Sequence, residues 1–289
     1  MLTMLDKDRR VLTAGLLRVL KASSSLSAAC LDPARTESSW VATMTSSAVN
    51  AKPLWDGNVP FRIVRASIAR TAEAAREHGM ALFELARSER ALTVPLATVT
   101  RGAIEAYGRV FYLLDADSPD VLFARYAALD YFDMDYPQKH GAKLRRLPLE
   151  TEATHPVGAY RERTRAWADA SGLKLDKQGP AVLAGDLLMQ LYPDGADAKV
   201  IYSGMSAVAH AQPWATANFY DFKANRLRRD DKMLMEYCMY VIETTRLVSD
   251  QIVQRFGAEQ LDIDRWKQTN AQVSESLRAF VTPTTSSSR

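Results

Sequence analysis

Apolar residues recur at intervals of three and four along most of the chain, which is the spacing of amphipathic helices. A clear case begins after Asn58 and Pro60, where Phe61, Val64 and Ile68 share one helical face. Alternating apolar and polar runs of strand length, joined by hairpin dipeptides, are not a feature of this sequence. The pattern therefore predicts an all-α protein, a single helical-bundle domain of about nine or ten helices.

Residues that start and stop helices set the predicted bounds. Ser118 followed by Pro119 combines a capping hydroxyl with a proline in the first turn, and Gly172 and Gly257 are stop signals. A short helix is expected within residues 40–49. The longer predicted helices are 5–21, 60–88, 93–114, 119–136, 156–171, 180–192, 197–211, 230–256 and 262–280.

The domain organisation follows from these bounds. Residues 1–58 are expected to form an N-terminal helix and loop region that packs on a helical core of residues 59–281. The Ser/Thr-rich tail, residues 282–289, is expected to be disordered.

Composition excludes several classes of protein. With 47% hydrophobic and 25% charged residues, the chain is neither collagen-like, intrinsically disordered nor a disulfide scaffold. Its net charge of +3 is too small to indicate nucleic-acid binding. Cys30 and Cys238 are typical of a reducing compartment, so a cytoplasmic location is expected. The longest stretch without a formal charge, residues 200–220, contains Pro213 and several polar side chains, so no membrane partner is expected.

The helix predicted at residues 93–114 carries an unusual polar stripe. At 100° per residue, Thr98, Arg101, Glu105, Arg109 and Tyr112 fall within an arc of about 80°. The remaining surface is apolar, so the helix should be surrounded by other helices and the stripe half-buried. Glu105 lies one turn from both arginines and is able to bridge them, a pairing that contributes about 0.2–0.5 kcal/mol when exposed.

Two glycines in the same helix, Gly102 and Gly108, cost about 1 kcal/mol each relative to alanine. We expect them to admit the close approach of a neighbouring helix or a ligand.

A second polar face lies inside the charge-free stretch. On the helix predicted at 197–211, Ser203, Ser206 and His210 share one face, and Tyr202 flanks them. A histidine among small polar residues is suited to acid, base or hydrogen-bond donor roles near neutral pH.

The leading hypothesis is that the two polar faces meet and line a buried pocket for a small polar or anionic ligand, with metal-free acid/base chemistry. His210 and Glu105 are the predicted catalytic residues. The predicted ligand-binding residues are Arg101, Arg109, Tyr112, Tyr202, Ser203 and Ser206. No cofactor or metal is expected, because di-iron bundles need their Glu-x-x-His motif twice and Glu152–His155 is a single copy.

The alternative is a non-catalytic interaction protein in which an Arg/Glu ion network braces the core. In that case the long helix at 230–256 would serve a homodimer as readily as a core. The sequence leaves open whether the protein is an enzyme.

Two segments carry a resemblance to known proteins. Residues 101–115 read RGAIEAYGRVFYLLD and residues 202–211 read YSGMSAVAHA. Over about residues 60–215 the chain resembles a group of uncharacterised all-helical actinobacterial proteins with an Arg-x-x-x-Glu helix and a Tyr-x-x-x-Ser-x-x-x-His helix. That resemblance implies a helical fold and a shared Arg/Glu/Ser/His site.

More distantly, the chain is similar to HEPN helical domains, many of which are ribonucleases in toxin and defence systems. This likeness implies RNA as a partner. The HEPN catalytic signature is an Arg, four to six further residues and then a His, all on one helix. In this sequence no Arg precedes His78, His140, His155 or His210 at that spacing.

Overall fold

A computed structural model describes residues 6–32, 34, 38–54, 57–88, 92–145, 154–192, 195–228 and 230–281. Within these residues the all-α class is confirmed, with twelve helices, ten of them seven residues or longer. The helices are α1 (Asp6–Leu31), α2 (Ser39–Thr45), α3 (Pro60–Arg87), α4 (Thr93–Leu114), α5 (Pro119–Asp133), α6 (Asp135–Lys139), α7 (Val157–Ala170), α8 (Pro180–Leu191), α9 (Gly195–Ala209), α10 (Pro213–Ala217), α11 (Asp231–Phe256) and α12 (Gln260–Val281).

Two very short antiparallel pairs accompany the helices. Strand β1 (Lys143–Arg145) pairs with β2 (Thr154–Pro156), and β3 (Tyr220–Asp221) pairs with β4 (Arg226–Leu227). The sequence did not predict them, because strands of two or three residues are too short to show alternation. The predicted disordered tail, residues 282–289, lies outside the described residues.

The predicted capping residues act at the helix ends. The Ser118 hydroxyl accepts from the backbone N–H of Val121 at 3.4 Å at the start of α5. Gly257 ends α11 with φ 79°, a left-handed conformation that L side chains rarely adopt. Local chemistry thus fixes these boundaries.

The largest departure from the predicted bounds is in α1, which continues ten residues beyond Lys21, through the serine cluster that was expected to end it. Ser23 is buried, and its hydroxyl lies 2.7 Å from that of Ser249 on α11. The Ser25 hydroxyl donates to the carbonyl of Lys21 within the helix. Packing against α11 therefore overrides the intrinsic preference of serine for helix ends.

The chain divides into two compact units that are discontinuous in sequence. Unit 1 comprises residues 1–36, 69–111 and 180–289, and unit 2 comprises 37–68 and 112–179. Helices α3 and α4 contribute residues to both units. This division differs from the predicted boundary between residues 58 and 59.

In unit 1, α1 packs along α11 and α12. Leu12 and Leu16 of α1 are fully buried, as are Val241 and Ile242 of α11, and each contributes about 1.5–3 kcal/mol. In unit 2, α5 and α7 pack against each other. Within the described residues, no helix combines the length and the apolar character that crossing a bilayer requires.

Candidate functional site

The buried side of α4 is its predicted apolar face, and the partly exposed side is its predicted polar stripe. Ile104 and Val110 on its apolar side are fully buried, whereas the side chains of Arg101 and Glu105 remain 24% and 23% exposed. A helix surrounded by packing partners thus exposes only one narrow set of charged groups.

The two glycines of α4 admit different neighbours, both in unit 1. A methyl group at Gly108 would lie 2.7 Å from the carbonyl oxygen of Leu183, so the first turn of α8 rests directly on α4. A methyl group at Gly102 would lie 2.8 Å from the imidazole ring of His78 on α3. Gly108 therefore accommodates a helix backbone and Gly102 an aromatic side chain.

Four side chains form one hydrogen-bonded network: two come from α4, one comes from the middle of α9 and one from the residue that follows α9. Arg101 Nε donates to Glu105 Oε1 at 2.6 Å, and Tyr202 Oη donates to the same oxygen at 2.6 Å. Arg101 Nη1 lies 2.5 Å from His210 Nε2. The Arg101 guanidinium also sits 5.9 Å from the centre of the Tyr202 ring. These four residues are called the Arg101 network below.

Hydrogen-bond chemistry indicates the role of His210 and Glu105 in the Arg101 network. A guanidinium only donates, so Nε2 of His210 takes the acceptor role in this contact, which a neutral imidazole with its proton on Nδ1 fills. Glu105 accepts from both Arg101 and Tyr202 at one oxygen, as an ionised carboxylate does. Glu105 therefore orients Arg101 directly and reaches His210 only through Arg101.

Contacts within the network also shift the pKa values of Tyr202 and Arg101. Partial burial raises the pKa of Tyr202, and the neighbouring Glu105 raises it further, while Arg101 opposes this in part. Burial by itself lowers the pKa of Arg101, but hydrogen bonds and charge from Glu105 and Tyr202 outweigh it, so the pKa is raised. Tyr202 is thus a donor and not a base at neutral pH, and Arg101 is a permanent cation.

The serines of α9 differ in position. Ser206 is half-buried and lies one helical turn from both Tyr202 and His210. Ser203 is exposed. Ser206 therefore lies on the same side of α9 as the network, and Ser203 is open to solvent.

The other two predicted site residues lie further along α4. Arg109 is half-buried, one turn beyond Glu105. Tyr112 belongs to unit 2, where its ring centre lies 4.6 Å from the Arg125 guanidinium. Tyr112 is therefore engaged in a different set of contacts from the Arg101 network.

The prediction that the network lies in a buried pocket is wrong in one respect. His210 is exposed, because α9 ends at Ala209 and the chain turns at Ala211 with φ 51°. The backbone N–H of His210 still donates to the carbonyl of Ser206, which fixes the start of the side chain relative to α9. The site is a half-buried surface cluster.

Tyr202 also lines an adjacent cleft of about 310 Å³ between α8 and α9. The other lining residues are Ala181, Val182, Gly185, Asp186, Met189 and Lys199. Sequence reasoning missed Asp186 and Lys199, because nothing in the local pattern of α8 shows that it lies beside α9.

In the part of the chain that is described, no group of three or more His, Cys, Asp or Glu side chains is arranged to hold a metal ion. The single Glu152–His155 motif lies outside the residues whose side chains are described.

Comparison with known proteins adds no relative. No protein-family model, curated protein or solved structure gives a significant match to this chain. The fold and the Arg101 network therefore define the protein as an all-α chain with an Arg–Glu–Tyr–His surface cluster, and functional inference depends on the geometry of that cluster.

Proposed function

We propose that the Arg101 network binds a small anionic ligand with a carboxylate or phosphate group, and that His210 exchanges a proton with that ligand. The observation that carries the proposal is the position of Arg101, which Glu105 holds through Nε while His210 lies beside Nη1. An arginine fork held in place matches the geometry of an oxyanion.

Preorganisation favours this role. Ordering a free side chain on binding costs about 0.5–1.5 kcal/mol, and Glu105 already holds Arg101 in one orientation. The hydroxyl of Ser206, on the same face of α9, supplies a further donor to the bound anion.

Charge balance explains why His210 takes part. Arg101 and Glu105 cancel each other, so with a neutral imidazole the network has no net charge. An anion that displaces Arg101 Nη1 from His210 Nε2 leaves that nitrogen free to accept a proton. The resulting imidazolium gives the network a net charge of +1, facing the bound anion.

Calorimetric titration with inorganic phosphate and with succinate, at pH 7, tests the proposal. Titrations in two buffers of different ionisation enthalpy give the number of protons taken up on binding. We expect binding with proton uptake in the native chain, and at least tenfold weaker binding in Arg101→Met. His210→Gln should bind more weakly and without proton uptake.

Arg87→Met is the matched control, because Arg87 is an exposed arginine of the same unit at the end of α3, whose carboxylate contact, Glu84, is a loose 3.9 Å pair. It should bind both anions like the native chain. If neither anion binds the native chain, or if Arg101→Met binds as tightly, the proposal is wrong.

A second candidate function is RNA cleavage, which the Arg101–His210 contact favours. The two residue types of the HEPN signature meet here from α4 and from the residue that follows α9, instead of lying on one helix. Incubation with a mixed-sequence single-stranded RNA at low salt should then give cleavage that both Arg101→Met and His210→Gln abolish. An intact RNA after incubation with the native protein would eliminate this candidate.

A further inference from the structure

The face of α9 opposite the Arg101 network borders a second cleft, of about 410 Å³, within unit 1. Met205 and Val208 of α9 and Met233 of α11 contribute apolar surface to it. Its volume falls in the range of small-molecule sites, about 300–1,000 Å³. This space is called the α9–α11 cleft below.

Four aromatic side chains from two parts of the chain line the α9–α11 cleft: Trp214, Phe219, Tyr237 and Tyr240. Trp214 is 63% exposed, an unusual position for a large apolar side chain, and its indole N–H is already held by Gln212 Oε1 at 2.7 Å. The ring surface of Trp214 is therefore available without a lost hydrogen bond. Aromatic faces carry partial negative charge and attract cations.

The charged groups of the cleft also favour a cationic ligand. Asp230 and Glu236 line it together with one cation, Lys232, which leaves a formal charge of −1. Lys232 is 80% exposed, and its Nζ lies 3.8 Å from Glu236 Oε1, so this pair is a weak surface contact. A ligand cation is able to displace Lys232 at little cost.

The tyrosines remain neutral in this environment. Burial raises the pKa of Tyr240 to about 12, with Glu236 as the next contribution, and burial and Glu236 raise the pKa of Tyr237 in the same order. Both phenols therefore stay neutral across the physiological pH range, and the formal charge of the cleft comes from Asp230, Glu236 and Lys232 alone.

We propose that the α9–α11 cleft binds a free small organic cation, an alkylated ammonium with apolar substituents, between its aromatic side chains and the carboxylate of Glu236. Trp214 supplies the cation–π face at the mouth of the cleft, and Met205, Val208 and Met233 contact the apolar substituents. This site is independent of the Arg101 network, which lies on the other face of α9.

Calorimetry with choline and its uncharged isostere 3,3-dimethylbutan-1-ol tests the proposal, because the two probes differ in charge and hardly in shape. Choline should bind about tenfold more tightly than the alcohol. Trp214→Leu and Glu236→Gln should each weaken choline binding by about five- to tenfold, and Lys232→Gln should strengthen it by about threefold.

Phe222→Leu is the matched control, since Phe222 is also a highly exposed aromatic residue but does not line the cleft. It should bind choline like the native chain, and so should Arg101→Met. Equal affinity for choline and the alcohol, absence of choline binding in a natively folded protein, or unchanged affinity in both Trp214→Leu and Glu236→Gln would overturn the proposal.

Discussion

Two arginines of unit 1 lie near tyrosines in opposite surroundings. Arg76 on α3 has a side chain only 9% exposed, and it pairs with Glu73 through Nη2. Its Nε and Nη1 are buried without a hydrogen-bond partner among the described residues. Burial therefore lowers the pKa of Arg76, and Tyr107 offsets this only in part. Arg101, by contrast, has partners on two edges and a raised pKa.

The two tyrosines differ in the same way. Tyr107 is fully buried, and its hydroxyl hydrogen-bonds with Thr245 at 3.2 Å, in a core that also holds the Ser23–Ser249 pair. Tyr202 is half-buried and donates to a carboxylate. The same two residue types are thus enclosed by the core in one place, where Tyr107 supplies buried surface, and lie within reach of a ligand in the other. We therefore expect substitution of Tyr107 to change stability and substitution of the Arg101 network to change binding.

The largest expected effect is the loss of stability on substitution of the buried Tyr107. Tyr107→Ala removes a fully buried ring and should lower the free energy of unfolding by about 3–5 kcal/mol. Tyr202→Ala, at a half-buried position, should cost about 1 kcal/mol. Urea unfolding followed by circular dichroism measures both. Equal losses would show that the two tyrosines do not divide into structural and accessible roles.

Two glycines of α4 provide the next test: Gly108 follows Tyr107 and Gly102 follows Arg101. Gly108→Ala brings a methyl group against the backbone of Leu183, which cannot move without shifting α8, so about 1–3 kcal/mol should be lost. The nearest atoms to the methyl group of Gly102→Ala belong to the ring of His78, an exposed side chain that is able to rotate away, and alanine favours the helix. The Gly102→Ala substitution should therefore change the free energy of unfolding by less than about 1 kcal/mol in the same measurement. A larger loss for Gly102→Ala than for Gly108→Ala would contradict the assignment of backbone contact to Gly108.

Arg101→Met should separate binding from stability. Because the Arg101–Glu105 pair is partly exposed, its loss should change the free energy of unfolding by no more than about 1 kcal/mol. Phosphate binding should nevertheless fall at least tenfold. His210→Ala should likewise leave the midpoint of thermal unfolding nearly unchanged, since His210 is exposed. A marked loss of stability in either variant would instead support a bracing role for the network.

The smallest expected effect concerns alkaline pH. Burial raises the pKa of Tyr107 above its ordinary value of 10.0, so the folded state keeps this proton at pH values where the unfolded chain loses it. The resulting stabilisation is complete below about pH 10 and is lost as the pH rises towards the folded-state pKa. Tyr107→Phe should therefore lose less stability between pH 8 and pH 10.5 than the native chain.

Tyr202→Phe serves as the comparison for that measurement. The pKa of Tyr202 is raised as well, but the group is only half-buried and Arg101 opposes the shift. The difference between Tyr202→Phe and the native chain should therefore be smaller. If Tyr202→Phe changed the pH dependence of stability more than Tyr107→Phe does, the assignment of Tyr107 as the more deeply buried phenol would be contradicted.

Much of the fold was predictable from local patterns. The helical period and the capping residues gave the bounds of α3, α4, α7 and α8 to within about two residues. They failed at α1, where Ser23 is buried against Ser249 instead of ending the helix. They also missed α6 and α10, since five-residue helices show no periodicity.

The candidate site was predictable in its parts but not in its assembly. The stripe of α4 and the polar face of α9 follow from residue spacing within each helix. The exposure of His210 was not predicted, because it depends on where α9 ends and how the chain turns at Ala211. The α9–α11 cleft was not predicted, since its aromatic residues come from separate segments.

The sequence by itself determined that this protein is helical, and which side chains share a face of α4 and of α9, because a helix repeats every 3.6 residues whatever surrounds it. Only the tertiary structure decided that Arg101 meets His210 and that Tyr202 meets Glu105. Those pairs are about a hundred residues apart in the chain. Their contact depends on packing between helices, such as the approach of α8 to Gly108, and not on the spacing within any one of them.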